Sequence, residues 1–222
     1  MTYAELKTAI IFLADDPALS DAQAGIWLNA NYRTLLRERD WPFMVGSSTM
    51  TVTSGTQEYA FTGFTSAITN FAKPLRVWIA SSSTSDKTIL SPINYEERNV
   101  PGITNCYYIT PDNLSIGLVP SPTNSTNVIT LDYLKSTNDL DGATYTTPVF
   151  LSDFHWILVW KALMNYQFKE REASDEFRNQ YEEILSSMIK FYFNPQAGTT
   201  TRLSNGSNRI VRTGTADPLH LT

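Results

Sequence analysis

Cysteine is almost absent: Cys106 is the single one in 222 residues, so no disulfide can form within the chain. Its setting in Asn105-Cys106-Tyr107-Tyr108 predicts a small buried strand residue. The two histidines and this one cysteine lie far apart and make no metal-ligand spacing. No glycine-rich phosphate loop occurs, and neither a metal nor a cofactor is expected. No apolar run approaches the roughly eighteen residues of a membrane span. The opening residues Met1-Thr2-Tyr3-Ala4-Glu5 lack the basic stretch of a secretion signal, so synthesis and assembly in cytosol are expected. Positive charge is also in short supply, with 17 basic residues against 22 acidic ones and a net charge of −5. That balance argues against a strongly basic duplex-binding surface, which needs clustered Lys and Arg.

What the chain does have is apolar content of 42% and aromatic content of 12%, enough for a globular core. Residues 150 to 193 contain neither glycine nor proline and read as one helix of roughly 60 Å. Ser152 is the expected cap with Asp153 in the first turn, and Asn194-Pro195 is the stop. A break at Lys169 to Ser174, where polar residues crowd together, is the alternative. The first half, Phe154 to Tyr166, is apolar nearly all round and calls for burial on every side. The second half keeps one stripe, Ala173, Phe177, Tyr181, Ile184, Met188 and Phe191. Of these, Phe177, Tyr181 and Met188 are the expected contacts between subunits.

Upstream, Thr2-x-x-Glu5 is a capping box followed by Leu6, Ala9, Ile10 and Leu13 at helical spacing, ended by Asp15-Asp16-Pro17. Ser20-x-x-Gln23 repeats the device for a second helix that runs to about Arg39, before Asp40-Trp41-Pro42-Phe43 breaks it. From Ser47 the period becomes alternating. Met50 and Val52 lead through Ser54-Gly55 to Glu58–Phe61, read as a hairpin. Further strands are expected at 75–79, 106–109, 114–118 and 128–134, with Pro111-Asp112-Asn113 as a tight turn. Ser91-Pro92 with Tyr95-Glu96-Glu97-Arg98 reads as a capped helical turn with proline first.

The expected fold class is therefore α+β. A helical bundle of two N-terminal helices and one long C-terminal helix (1–43 and 149–193) carries an inserted small antiparallel β-sandwich (44–148), and an extended C-terminal tail (194–222) follows. The tail has no aromatic residue and cannot offset its ordering entropy alone.

The carboxylate pairs Asp15-Asp16, Glu96-Glu97, Glu170/Glu172 and Glu182-Glu183 read as solvated helix faces or ends, not as acid/base pairs. Ser152, Asp153 and His155 are too close in sequence to converge as a hydrolytic triad. Trp156-Ile157-Leu158-Val159-Trp160 reads as core packing before a partner-facing stripe. Trp78 and Tyr107 are the aromatics through which a carbohydrate- or receptor-binding module would act. In the tail, Arg202, Arg209, Ile210, Val211 and Arg212 are the candidate partner-binding residues: an extended segment can add to a sheet edge while arginines meet acidic groups.

The order of parts carries a resemblance. Capped helices ending in Asp40-Trp41-Pro42-Phe43, then Gly55-Thr56-Gln57-Glu58-Tyr59 and Lys73-Pro74-Leu75-Arg76-Val77, are similar to the head-to-tail adaptor proteins of short-tailed bacteriophages. So are Tyr107-Tyr108-Ile109, Leu114-Ser115-Ile116-Gly117-Leu118-Val119-Pro120-Ser121-Pro122, and the closing Tyr181-x-x-x-Leu185-x-x-Met188. The resemblance spans about residues 1 to 193. It implies a non-enzymatic virion structural protein in the neck, assembled in the host cytoplasm as a ring, typically of twelve copies. Such a ring sits beneath the portal protein, meets a tail nozzle or tail tube protein below, and prolongs the channel through which DNA passes without sequence-specific binding. In that family the C-terminal extension commonly reaches the portal. Cell-wall hydrolysis, linked to a few relatives, finds no supporting residues here.

Overall fold

The computed structural model of the chain describes residues 1–81, 86–170 and 175–193. Its architecture is mixed α+β, with four α-helices and two four-stranded sheets among the described residues. The chain divides into two compact units, Met1–Arg37 with the chain from Asp139 onward, and Glu38–Asn138.

In the helical unit, α1 is Tyr3–Ala14 and α2 is Asp21–Glu38. Both start as their sequences require. The Glu5 amide donates to Thr2 Oγ1 at 3.3 Å while the Thr2 amide donates to Glu5 Oε2 at 2.7 Å, a closed capping box. Ser20 and Gln23 exchange the same pair of bonds at 3.2 and 3.3 Å. The chain returns beside α2 at Leu140, whose amide and carbonyl both bond the Asn29 side chain at 2.9 Å.

The single long helix does not form. Its residues make α3, Trp156–Glu170, and α4, Asp175–Phe193; residues 171–174 lie outside the described residues. The two helices run antiparallel. Phe154 lies against Phe191 and Tyr192 at ring separations of 5.6 and 5.9 Å, and Trp160 lies 5.6 Å from Phe177. On one straight helix Phe154 and Phe191 would stand about 55 Å apart. The reason is the stripe itself: Met188 is fully buried, and doubling back lets α4 cover α3 with its own apolar face.

Ser152 does not cap either. A short 3-10 turn over Ser152–Phe154 precedes α3, and the Ser152 carbonyl, not its hydroxyl, accepts the His155 amide at 3.1 Å. Within α3, Ile157, Leu158, Val159, Ala162 and Leu163 are buried. The helix meets α1 and α4 and reaches α2 through Trp27–Tyr166 rings 5.7 Å apart and an Asn165–Asn31 side-chain bond of 2.9 Å.

The β unit holds β1 (Val45–Thr51), β2 (Glu58–Ala60), β3 (Phe71–Ser81), β4 (Lys87–Ile89), β5 (Ser91–Pro92), β6 (Cys106–Ile109), β7 (Ser115–Val119) and β8 (Asn127–Lys135). One sheet runs β1-β8-β3-β4 and the other β2-β7-β6-β5. The expected hairpin of β1 with β2 is absent, because the two strands belong to different sheets and pair with β8 and β7. Gly55 does turn, at φ +77°, but the turn carries the chain from one sheet to the other. Val52 before it and Tyr59 after it are buried in one core with Val77, Ile116 and Leu131. A flat hairpin would put both in one sheet and leave the other uncovered. Ser91-Pro92 also departs from expectation, pairing parallel with β6, while Asn94 and Glu97 close the capping box of the turn at Tyr95–Asn99.

The β6–β7 hairpin forms around the Pro111-Asp112-Asn113 turn, with Asn113 at φ +56°. Within it Tyr108 faces Gly117, and a Cβ at Gly117 would overlap the Tyr108 ring. The ring is held there by its hydroxyl, which donates to Glu58 Oε1 at 2.9 Å. Burial first, and that carboxylate second, push the phenol well above its ordinary pKa.

Replacing Met188 by alanine removes a fully buried side chain and is expected to cost about 2–5 kcal/mol of unfolding free energy in a urea titration. A loss below about 1 kcal/mol would contradict the packing of α4 on α3.

Candidate docking surface

Helix α1 carries Ile10-Ile11-Phe12-Leu13-Ala14 in succession. Consecutive helical residues are about 100° apart, so five of them sweep a full circle and cannot all face one neighbour. Leu6 and Ile10 take the buried side, and Phe12 is left 80% exposed. The same happens where α3 begins. Ile157, Leu158 and Val159 go inward, while Trp156 remains 40% exposed with its ring 5.8 Å from Trp160. The pentapeptide Trp156–Trp160, expected as core, is thus core only in its middle.

Phe12, Leu13, Ala9, Ala4 and Trp156, with Met1, Thr8 and Glu5, line an open groove of about 550 Å³. Glu5 is its one charged side chain, and the Met1 ammonium lies in the same lining. The carboxylate sits below its usual pKa because the Thr2 backbone amide donates to it. A wide apolar groove with so few charges fits a protein segment that presents large apolar side chains.

One end of the groove is fixed by His155. The ring is buried, with Nε2 2.9 Å from the Phe150 carbonyl and Nδ1 2.8 Å from the Met1 amino group. Nδ1 also lies 2.9 Å from the Met1 carbonyl; a neutral ring protonated on Nε2 donates to the Phe150 carbonyl and accepts from the Met1 ammonium. Burial is the main cause that holds its pKa below the ordinary histidine value, and the nearby amino-terminal charge acts the same way.

A second apolar patch lies where α4 ends. Phe191 is 51% and Leu151 47% exposed; the Leu151 amide donates to Tyr192 Oη at 3.2 Å, and the Tyr192 ring is 5.0 Å from Phe191. Lys190 is exposed in the same turn.

Of the residues singled out from sequence, Phe177 and Tyr181 pack half-buried on α3, Tyr181 beneath the Lys161 ammonium at 4.5 Å. Met188 is buried in its own chain, which leaves none of its surface for a neighbour. Arg202, Arg209, Ile210, Val211 and Arg212 lie outside the described residues. Tyr107 is buried in the core of the β unit, so it presents no sugar platform, and Trp78 is half-buried with the Lys87 ammonium 5.6 Å from its ring centre.

Of the carboxylate pairs, Asp16 accepts from the Ala18 amide and the Tyr166 hydroxyl at 2.8 Å and Glu97 accepts from the Asn94 amide at 3.0 Å, while the side chains of Glu170 and Glu172 lie outside the described residues. Among the described residues no group of His, Cys, Asp and Glu is placed to hold a metal ion, and no helix is long and apolar enough to cross a membrane. Sequence reasoning overlooked Phe12, although the unbroken apolar run at 10–14 was a sufficient signal, and it read Trp156 as core where a partner-facing stripe was the alternative.

In comparison with known proteins, a family model described as SU10 adaptor protein matches residues 1–211. No curated protein matches the chain.

Because His155 binds fewer protons folded than unfolded, stability is fully present above the ordinary histidine pKa and is lost as pH falls through and below it. Thermal unfolding should therefore move to lower temperature as pH drops from about 7.5 to 5.5, and the drop should be smaller in His155→Gln. An equal pH dependence in the two proteins would contradict the buried neutral ring.

Proposed function

We propose that this chain, which belongs to the SU10 adaptor protein family, is a bacteriophage structural adaptor that joins the capsid portal to the tail as a ring in the virion neck. The family match over residues 1–211 carries this reading. The exposed apolar side chains of the helical unit support it, since a passive building block leaves such surface for other chains to cover.

A ring closes only if each subunit offers two different, complementary faces. The helical unit has two distinct apolar patches, the Phe12–Trp156 groove and the Leu151–Phe191 surface. The ring, of about twelve copies by likeness to the adaptors of short-tailed phages, extends the DNA channel from the portal to a nozzle or tube protein below. A net charge of −5 lets DNA slide past without sticking. Residues 194–222, with Arg202, Arg209, Ile210, Val211 and Arg212, form the segment that grips the portal. The domains have separate roles in this scheme, the helical residues 1–43 and 149–193 building the ring and the β residues 44–148 left for other contacts. No chemical step is assigned to the chain.

Mixed with its portal complex, the protein is expected to elute on size exclusion with light scattering as one large assembly containing many copies. A single bound copy, or none, would overturn the adaptor ring. Deleting 194–222 should leave the circular dichroism spectrum of a folded subunit yet abolish attachment. Undiminished attachment would remove the tail from the reading.

A further inference from the structure

The ring leaves open which surfaces meet. We propose that the Phe12–Trp156 groove of one copy receives the Leu151–Phe191 patch of the next copy, with Lys190 set beside Glu5. This rests on the ring reading and specifies its lateral contact.

Three observations point to a second copy as the occupant. First, the groove and the patch share no residue and differ in form. One is concave and lined by small side chains, Ala4 and Ala9, between two aromatics; the other consists of exposed Leu151 and Phe191 backed by Phe154 and Tyr192. Head-to-tail closure needs such an unlike pair, whereas a two-fold dimer needs one patch that fits itself. Second, the charges are complementary. Glu5 is the groove's charged side chain, and Lys190 is the basic residue in the last turn of α4, so the two side chains can pair across the contact. Third, the two faces are of similar size. The exposed portions of Phe12 and Trp156 on one, and of Leu151 and Phe191 on the other, come to on the order of 200 Å² each, taking ~150–250 Å² for a whole large side chain. That is well below the ~800 Å² per partner of a self-standing complex, so the contact is the apolar centre of a seam whose remaining area is supplied around it.

Phe177, Tyr181 and Met188 do not supply this contact, since they face α3 of their own chain.

The test uses cysteine pairs in the full chain, where the native Cys106 is buried. Thr8→Cys places a thiol in the groove, and Ser187→Cys places one a turn before Phe191. With a short bis-maleimide added to portal-bound assemblies, neither single variant should crosslink to itself. A mixture of the two should give dimers only, and the doubly substituted chain should give a ladder. Self-crosslinking of Thr8→Cys would reveal a groove-to-groove contact and overturn the proposal; crosslinking of Thr8→Cys to the portal alone would do the same. Rings without a ladder would overturn this contact but leave the adaptor reading standing, whereas absence of rings in the unsubstituted protein would remove both.

As a second measurement, Phe12→Asp should lower the fraction of protein in rings by about tenfold. Its melting temperature should stay unchanged, because Phe12 is exposed in the single chain. An unchanged ring fraction would overturn the proposal.

Discussion

A helix that is apolar around most of its circumference must be covered around most of it, and α3 is such a helix. Its buried residues Ile157, Leu158, Val159, Ala162 and Leu163 spread over about two thirds of the circle at about 100° per step. Each fully hidden side chain of this size contributes roughly 1.5–3 kcal/mol, so the surrounding elements are arranged to hide them. α1 lies on one side, α2 reaches it through Trp27 and Asn31, and α4 doubles back on a third. Capping, the Asn29–Leu140 tie and the His155–Met1 contact serve to place these covers. The cover is incomplete where α3 begins: Trp156 is left beside Phe12, and the groove is what remains.

Local chemistry was legible in the sequence wherever a device uses neighbouring residues. Thr2 with Glu5, Ser20 with Gln23, the stop at Trp41-Pro42 and the Pro111-Asp112-Asn113 turn all form as their residue types dictate, because their energetics are settled within four residues. Errors arose where a choice depends on distant chain. Absence of glycine and proline across 150–193 permits a continuous helix, but burial of Met188 and the packing of Phe177 on Trp160 favour doubling back, and no propensity scale registers that. Likewise Ser54-Gly55 is a good turn in either case. Whether the strand after it returns to its neighbour or crosses to another sheet depends on Ile116 and Leu118 of β7, which need a partner in β2.

The docking surface was the least legible part. Periodicity arguments search for the buried face of an element, and they credit every apolar residue to it. Phe12 and Trp156 sit within otherwise buried runs, and only the three-dimensional arrangement shows that they face away. The stripe at Phe177, Tyr181 and Met188 is the converse case: Met188 is used up inside the chain, and Phe177 and Tyr181 are half-buried against α3. In the β unit Tyr107 follows the same logic, since an aromatic in an alternating strand has no label saying which sheet face it takes.

The central claim is that the surface α3 and its partners leave uncovered is hidden by other protein chains in the virion neck. An image of the assembled particle, averaged about its axis, tests it most directly. The account predicts repeated copies of this chain around the channel, with protein density filling the Phe12–Trp156 groove of every copy. Copies whose groove opens to solvent, or a chain present outside any ring, would contradict it.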